Sequence, residues 1–352
     1  MSIQKFTYPE SFKFENGTEL EGLEIAYQTF GSLNEAKDNI VWVCHALTGN
    51  SDVFDWWQGL FGEDDLFNPK DHFIVCANVL GSNYGTTCPV SINPITNQPY
   101  FRSFPQFTVK DMASVQRLLA DYLKIEKIDL LIGGSLGGQQ ALEWAITEPS
   151  RIKRLIIIAT NAVHSPWGIA FNESQRLAIS SDPTYFGDTL EGGSNGLKAA
   201  RSIALLSYRN YETYANSQQE EGNEKWDNFK ASSYQNYQGD KLVKRFNAYS
   251  YWYLSKAMDS HNVGRSRASI IDALKQITAQ TLVVGISSDI LFPPTEQKFL
   301  AEKISGASYL EIDSYYGHDG FLIETGILTY EIIKFLKNTA AEGSLIHLQK
   351  TS

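Results

Sequence analysis

Apolar residues follow two patterns along the chain, short continuous runs and longer stretches with helical spacing. Continuous apolar runs of strand length are typical of strands buried on both faces of a parallel sheet. Such runs lie at Ile40–Cys44, His72–Asn78, Asp129–Ile132, Arg154–Ala159, Thr281–Ile286 and Ser308–Ile312. Residues 6–31 instead alternate between apolar and polar, as half-exposed strands do. Helical stretches separate several of the runs, and one of them begins at Thr108, with Asp111 placed for a capping box. The alternation of strand and helix predicts an α/β fold with a mostly parallel central sheet and right-handed crossovers.

This alternation stops between about Val163 and Ala279, where helical patterns and many aromatic residues replace the strand runs. We interpret residues 164–279 as a helical lid inserted over the carboxyl edge of the sheet, with 1–163 and 280–352 forming the core. The alternative is an independent helical domain. A last helix is predicted over roughly Gly320 to Lys337, and the chain after Asn338 lacks clear periodicity, as a frayed tail would.

Composition narrows the possible function classes. With 352 residues and 43% hydrophobic content, the chain can bury a substantial core. A net charge of −10 argues against binding nucleic acid or an anionic membrane, although a local basic pocket remains possible. The three widely spaced cysteines suggest neither a disulfide framework nor a metal clip, and no signal peptide or membrane-length apolar run is present, so we expect a cytoplasmic location.

The segment Gly133-Gly-Ser-Leu-Gly137 fits the pattern G-x-S-x-G, the nucleophile elbow of the α/β-hydrolase fold. An apolar strand precedes Ser135 and a helical stretch follows it, as the elbow requires. The turn is sharp, so a Cβ atom at Gly133 or Gly137 would collide with the adjoining strand and helix. A second match, Gly192-Gly-Ser-Asn-Gly196, has no preceding strand and is predicted to be a plain loop.

A nucleophilic serine needs a base, and that base needs an acid that orients it. In this fold the acid and then the histidine follow the serine, each just beyond a late strand. Asp289 follows the run that ends at Ile286, and His318 lies in a glycine-bracketed loop after the next strand. Asp313 is a rival for the acid because it is nearer to His318 in sequence. The remaining histidines are predicted to be structural or surface residues: His45, His72, His164, His261 and His347.

The oxyanion of an acyl-transfer intermediate needs two N–H donors. One should be the backbone N–H of Leu136, directly after the nucleophile, and the other that of Leu47, in the turn after the strand that ends at Cys44. The sequence contains no H-E-x-x-H, Walker or G-x-G-x-x-G motif, so no metal and no bound nucleotide cofactor are expected.

Several longer motifs resemble the homoserine O-acetyltransferase family over nearly the whole chain. They are His45-Ala-Leu-Thr-Gly49, Asn78-Val-Leu-Gly81, Ser91-Ile-Asn-Pro94, Gly133 to Trp144, Ala170-Phe-Asn-Glu173, Lys256-Ala-Met-Asp259 and Tyr316-Gly-His-Asp319. The resemblance implies an α/β-hydrolase core with a helical lid, a homodimer formed through the lids, and acyl transfer from acetyl-CoA to the hydroxyl of L-homoserine on the way to methionine. Acetyl-CoA would be a co-substrate rather than a bound cofactor.

The resemblance also implies roles for particular residues. The triad falls on Ser135, Asp289 and His318. Gly196-Leu-Lys-Ala-Ala-Arg201 matches the lid pattern whose arginine binds the substrate, so Arg201 should hold the homoserine carboxylate, with Arg209 as the fallback. Asp319 should bind the substrate ammonium. Either arginine could instead belong to a structural ion pair, and Asp319 could merely cap its loop.

Departures from the family pattern leave alternatives open. Cys88 stands where relatives more often have glycine, which would put a thiol near the pocket, and Leu136 replaces a common methionine. The segment from Asp182 to Gly196 is shorter than in many relatives. A succinyl donor, a serine acceptor, an esterase or thioesterase, and a non-catalytic binding module are the alternatives to acetyl transfer onto homoserine.

Overall fold

A computed structural model describes residues 2–350 of the chain, with side chains described up to Asn338. Its core is an eight-stranded sheet. The strands are β1 Gln4–Thr7, β2 Glu24–Phe30, β3 Ile40–Cys44, β4 Phe73–Ala77, β5 Ile128–Gly134, β6 Ile152–Ile158, β7 Gln280–Ile286 and β8 Ser308–Ile312. Their order is β1-β2-β4-β3-β5-β6-β7-β8, with β1 and β2 antiparallel to their neighbours and the rest parallel. The predicted α/β-hydrolase fold is confirmed.

Helices cover both faces of this sheet, which explains the continuous apolar runs. They are α1 Val53–Trp56, α2 Val109–Tyr122, α3 Leu136–Thr147, α4 Pro166–Ser180, α5 Ser194–Tyr208, α6 Tyr211–Gln218, α7 Lys230–Val243, α8 Ala248–Asp259, α9 Ile270–Leu274, α10 Pro294–Lys303, α11 Gly320–Ile323 and α12 Thr325–Lys350. Along β3, Trp42 enters the hydrophobic cluster on one face of the sheet, while Val41 and Val43 enter the cluster on the other. A strand with no solvent face therefore needs apolar residues at every position.

Helix α2 begins where the sequence predicts. Thr108 is its N-cap and accepts a hydrogen bond from the N–H of Asp111, whose carboxylate accepts one from the N–H of Thr108 in return. This reciprocal pair satisfies two backbone donors that the first turn would leave free. Helix α3 is buried along nearly its whole length, so it packs into the core directly behind Ser135.

Helices α4 to α9 all lie between β6 and β7 in the chain. The two ends of this insertion meet, since Val163 pairs with Asn262 in an isolated antiparallel bridge and the N–H of Val263 donates to the carbonyl of Ala162. An ion pair between Arg265 and Glu15, 2.8 Å apart, also fixes the returning segment to the core. The two ends of the insertion are thus held together, and its returning end is also held to the core.

Two expectations from the sequence are wrong. The segment Gly192–Gly196, predicted to be a plain loop, is a turn only at Gly192 and Gly193, and α5 begins at Ser194. The carboxylate of Asp182 accepts hydrogen bonds from the N–H groups of Asn195 and Gly196 in the first turn of this helix. Asp182 lies 13 and 14 residues before these two N–H groups, so the sequence around the start of the helix gives no sign of this contact.

The end of the chain differs as well. The single helix predicted from Gly320 to Lys337 is divided into α11 and α12, and the backbone remains helical as far as Lys350, beyond the expected tail boundary at Asn338. This stretch contains no proline, so nothing in its sequence forces the helix to stop. Residues 351 and 352 lie outside the described part of the chain. Within that part, no helix combines the length and apolar character that crossing a membrane requires.

Candidate active site

Ser135 lies in the sharp turn between β5 and α3. Its backbone has φ 57° and ψ −125°, a conformation that residues with a side chain rarely adopt. The turn is held on both sides, because the N–H of Ser135 donates to the carbonyl of Ile158 and its own carbonyl accepts from the hydroxyl of Thr160, both at 2.9 Å. A backbone strained in this way persists only where its surroundings hold it in place, as they do at nucleophile elbows.

The flanking glycines are required by contact with neighbouring backbone. A Cβ atom on Gly133 would lie 2.3 Å from the carbonyl oxygen of Gly137, and one on Gly137 would lie 2.0 Å from that of Cys44. Both distances are far below any van der Waals contact, so the collision expected from the sequence is present at each position. The close approach brings the N-terminus of α3 against the end of β3, where the turn that begins at His45 follows.

The carboxyl ends of parallel strands meet at one edge of a sheet, and there the three predicted triad residues come together. The hydroxyl oxygen of Ser135 lies 2.9 Å from Nε2 of His318, whose Nδ1 lies 2.6 Å from Oδ2 of Asp289. The other oxygen of Asp289 accepts from the N–H groups of Leu291 and Phe292, each at 2.8 Å. All three triad side chains are buried.

Opposing effects act on the pKa of His318. Its burial lowers its pKa, but the charge of Asp289 and the hydrogen bond to it raise the pKa, with a further contribution from the charge of Asp319, and the net pKa is above the ordinary value. The ring also stacks on that of Phe292, with centroids 5.1 Å apart. A histidine held in one orientation with a raised pKa is suited to accept a proton from a serine hydroxyl.

The rival residues have other partners. The carboxylate of Asp313 accepts from the hydroxyl of Ser287 at 3.0 Å. His45, His164 and His261 are buried, and burial lowers their pKa values to about 4, about 4 and about 3. His72 contacts the ring of Phe67 and also has a lowered pKa from partial burial. The side chain of His347 lies outside the described part of the structure.

The turn that holds Leu47 is braced from inside the core. Nδ1 of His45 lies 2.8 Å from the carbonyl oxygen of Ala46, and its Nε2 accepts the N–H of Val79 at 3.0 Å. Because its pKa is about 4, this imidazole stays neutral and can donate on one side while it accepts on the other. Leu47 lines the cavity at Ser135, and Leu136 is the first residue of α3.

A cavity of about 180 Å³ opens at the triad. It is lined by Ala46, Leu47, Thr48, Gly49, Trp56, Ser135, Arg201, Tyr208, Arg245, His318, Asp319, Phe321 and Leu322. The guanidinium of Arg201 lies over the ring of Tyr208, 5.3 Å from its centroid. Arg201 has no ion-pair partner among the side chains described, up to Asn338. The cavity is small and lined mainly by apolar groups, so the cation of Arg201, which has no ion-pair partner among the described side chains, suits an anionic ligand there.

Asp319 is already engaged. Nε of Arg209 donates to Oδ2 of Asp319 at 2.6 Å, and both side chains are mostly buried. Arg209, the fallback for the carboxylate partner, is therefore an ion-pair partner of the residue expected to bind the ammonium. Cys88 is buried against Ser91, with a sulfur–oxygen distance of 3.6 Å, instead of lining the cavity. Burial raises the pKa of its thiol and keeps it protonated.

Sequence reasoning missed Tyr208, Arg245 and Trp56 as cavity residues. Two of them lie within the predicted lid, and Tyr208 follows Arg201 at the seven-residue spacing that places both on one helical face. That spacing is a sequence signal for Tyr208 alone. Within residues 2–350, no group of three or more His, Cys, Asp or Glu side chains is arranged to hold a metal ion.

Comparison with known proteins identifies relatives in sequence and in structure. The family model for the alpha/beta hydrolase fold matches residues 39–325. A homoserine O-acetyltransferase from Cyclobacterium marinum is 47% identical over 335 residues, which are 95% of each chain. The crystal structure of homoserine O-acetyltransferase from Staphylococcus aureus superposes with a TM-score of 0.78 at 28% identity, covering 95% of each chain. An acetylester hydrolase from Corynebacterium glutamicum superposes with a TM-score of 0.85 at 21% identity, covering 96% of each chain. Proteins named as transferases and as hydrolases thus share this fold, so the fold does not by itself distinguish the two activities.

Proposed function

Because the chain belongs to the homoserine O-acetyltransferase family of α/β hydrolases, we propose that it moves an acetyl group from acetyl-CoA to the hydroxyl of L-homoserine through an acetyl–Ser135 intermediate. The product is an activated amino acid for methionine biosynthesis. The observation that carries the proposal is the unbroken chain of hydrogen-bonding distances from Asp289 through His318 to Ser135, at a cavity that also holds Arg201 and Asp319. The triad supplies the acyl chemistry, and the two charges match the two charged groups of an amino acid.

In the first step, Nε2 of His318 takes the proton of Ser135 while the serine oxygen attacks the thioester carbonyl. The backbone N–H groups of Leu47 and Leu136 stabilise the oxyanion that forms. Asp289 holds the imidazole in the required tautomer and stabilises its positive charge. When the carbon–sulfur bond breaks, His318 returns the proton to the departing thiolate, which leaves as free CoA with acetyl-Ser135 behind.

In the second step, homoserine enters with its carboxylate on Arg201 and its ammonium on Asp319. His318 takes the proton of the homoserine hydroxyl as that oxygen attacks the acetyl carbonyl. The same N–H groups stabilise the second oxyanion. The bond to Ser135 then breaks, and His318 returns the proton to the serine oxygen. The enzyme is restored and O-acetylhomoserine is released.

Water could attack the same intermediate, so transfer requires that the acceptor be favoured over water. Holding the homoserine hydroxyl in attack position raises its effective concentration by many orders of magnitude, about 10⁵ M or more in well-oriented cases. The insertion at 164–279 supports this role as a lid, since its helix α5 supplies Arg201 and Tyr208 to the cavity wall. We therefore treat acceptor binding by the lid as the feature that separates transfer from hydrolysis.

Mass spectrometry tests the proposal directly. Wild-type protein mixed with acetyl-CoA should gain one acetyl group, and Ser135→Ala should gain none. Adding homoserine should then remove the group and release O-acetylhomoserine. Succinyl-CoA as donor and serine as acceptor are the parallel arms. Efficient acylation by succinyl-CoA, or discharge by serine in preference to homoserine, would reassign the substrate. Discharge at the same rate with and without any amino acid would make the protein a hydrolase.

We also propose a homodimer formed through the lids. Large apolar side chains are exposed on the insertion, namely Trp167, Leu177, Phe186, Leu190, Leu206, Tyr211, Trp226 and Tyr237. Single exposed apolar residues are ordinary, but this concentration on one inserted segment supports an interface. Sedimentation equilibrium should give twice the mass of the chain, and Leu177→Asp should shift the protein toward monomer. A wild-type monomer at micromolar concentration would contradict the assignment.

A further inference from the structure

Helix α5 carries one arginine toward the cavity and ends beside another. Arg201 lies within the helix and lines the cavity, while Arg209 directly follows the last residue of the helix. The two arginines are eight residues apart, about 12 Å along a helix axis at the usual rise. Of these two arginines, Arg201 lines the cavity, whereas the side chain of Arg209 donates to Asp319. The helix thus carries Arg201, and Arg209 is attached directly to its end.

The end of α5 is pressed against the turn that holds His318. Gly317, with φ +66°, immediately precedes the histidine. A Cβ atom at Gly317 would lie 2.9 Å from the carbonyl carbon of Arg209 and 3.0 Å from the carbonyl oxygen of Tyr208. Just beyond the helix, the hydroxyl of Thr213 donates to the carbonyl of Tyr315 at 2.5 Å. These contacts fix the separation between the lid helix and the histidine turn.

The Arg209–Asp319 pair leaves Asp319 able to bind a second cation. Its Oδ2 accepts from Nε of Arg209, and Oδ1 accepts no hydrogen bond from the side chains and backbone described in residues 2–350. The two side chains are 25% and 18% exposed, so their attraction is screened less than that of a surface pair. A carboxylate held by one oxygen is oriented, and its other oxygen can accept from an ammonium group.

We propose that Arg209 is a positioning residue that holds Asp319 at a fixed distance from Arg201, so that α5 sets the spacing between the two charges of the acceptor. The proposal rests on the proposed function, in which Arg201 and Asp319 bind those charges. The position of α5 would thus select α-amino acids. The helix supplies Arg201, the partner of the carboxylate, and Arg209 at its end aligns Asp319, the partner of the ammonium. Arg209 acts through Asp319 and does not touch the acceptor.

Two inhibitors distinguish binding of the acceptor's ammonium group from binding of its carboxylate. L-2-aminobutyrate carries both the carboxylate and the ammonium of homoserine but no reactive hydroxyl, and butyrate carries the carboxylate alone. In Arg209→Gln, the inhibition constant of L-2-aminobutyrate against homoserine should rise at least ten-fold, roughly the effect of losing a charge-assisted hydrogen bond. That of butyrate should stay within two-fold of wild type, and Arg209→Lys should recover part of the loss.

Acylation by acetyl-CoA and the slow discharge of acetyl-Ser135 by water report on the integrity of the site. At a pH well above the His318 midpoint, where the imidazole is neutral in every variant, both rates should be unchanged in Arg209→Gln. Arg102→Gln is the matched control, because it removes another arginine–aspartate pair, with Asp188 at 2.9 Å, elsewhere on the protein. Equal weakening of both inhibitors would mean that Arg209 binds the carboxylate, and slower acylation would mean that it is merely structural. Unchanged or tighter binding of L-2-aminobutyrate would also overturn the proposal.

Asp319→Asn distinguishes failure of this inference from failure of the proposed function. If that variant leaves the inhibition by L-2-aminobutyrate unchanged, Asp319 does not bind the ammonium and the proposed acceptor site is wrong. If Asp319→Asn weakens L-2-aminobutyrate at least ten-fold while Arg209→Gln does not, the acceptor site stands and the positioning role of Arg209 is refuted.

Discussion

Asp289 and His318, 29 positions apart in the chain, are joined by a 2.6 Å contact between Oδ2 and Nδ1. Asp289 follows β7 and His318 follows β8, and these strands are parallel neighbours in the sheet. The backbone N–H groups of Leu291 and Phe292 hold the other oxygen of Asp289, so the carboxylate cannot turn away from the imidazole. The acid is therefore fixed by its own loop before it orients the base.

Replacing this acid should nearly abolish acylation. In Asp289→Asn the amide can present N–H to Nδ1 and favour the wrong tautomer, so the acylation rate should fall roughly 10³- to 10⁴-fold, as in other triads. Asp313→Asn is the control, since Asp313 pairs with Ser287 and should leave the rate within a few-fold of wild type. Single-turnover measurement of acetyl-Ser135 formation gives both rates. The reverse ranking of the two variants would transfer the role to Asp313.

Acylation should be lost at acid pH because His318 must be neutral to take the serine proton. Burial lowers the pKa of His318, but Asp289 and Asp319 raise it above the ordinary value of 6.5, so activity should fall as the pH drops through a midpoint above 6.5. Asp319→Asn removes one of the raising charges, so this midpoint should move to lower pH. The pH profile of kcat/KM for acetyl-CoA measures both midpoints. A shift to higher pH would contradict the assigned electrostatics.

The elbow should not tolerate a methyl group. In Gly137→Ala the new Cβ would lie 2.0 Å from the carbonyl oxygen of Cys44, which is backbone and cannot swing aside. The free energy of unfolding should fall by roughly 3 kcal/mol or more, the range of severe core disruptions. Gly187→Ala provides the comparison, because a Cβ there meets nothing within 4 Å. Urea denaturation of the two variants measures the difference, and equal stability would disprove the tight packing.

Arg245, in the inserted segment 164–279, should support the turn that holds Leu47, the proposed oxyanion donor. Its Nη1 donates to the carbonyl of Thr48, the residue after Leu47, and to the hydroxyl of Tyr84, each at 2.6 Å. Without this contact the turn can relax, so Arg245→Met should slow acylation about ten-fold, less than the outright loss of an oxyanion donor.

The Michaelis constant for homoserine should change little in Arg245→Met, since the variant alters the turn and leaves Arg201 and Asp319 in place. Tyr84→Phe keeps the bond to Thr48 and should have a small effect on either quantity. Steady-state and single-turnover kinetics separate the two steps. A higher Michaelis constant for homoserine with normal acylation would instead place Arg245 in the acceptor site.

The sequence by itself determined the strand and helix alternation, the elbow at Ser135 and the order of the acid and the histidine. Each of these has a local cause, because burial on two faces demands continuous apolar runs and a sharp turn demands glycine. Only the tertiary structure decided which charges meet. Arg209 and Asp319 are 110 positions apart and Arg245 and Thr48 are 197 apart, and each pair joins the inserted helical segment to a loop of the core. Such contacts depend on how the lid helices pack against the sheet. No local pattern encodes that packing, so neither the ion pair at Asp319 nor the contact of Arg245 with Thr48 could be predicted from the chain alone.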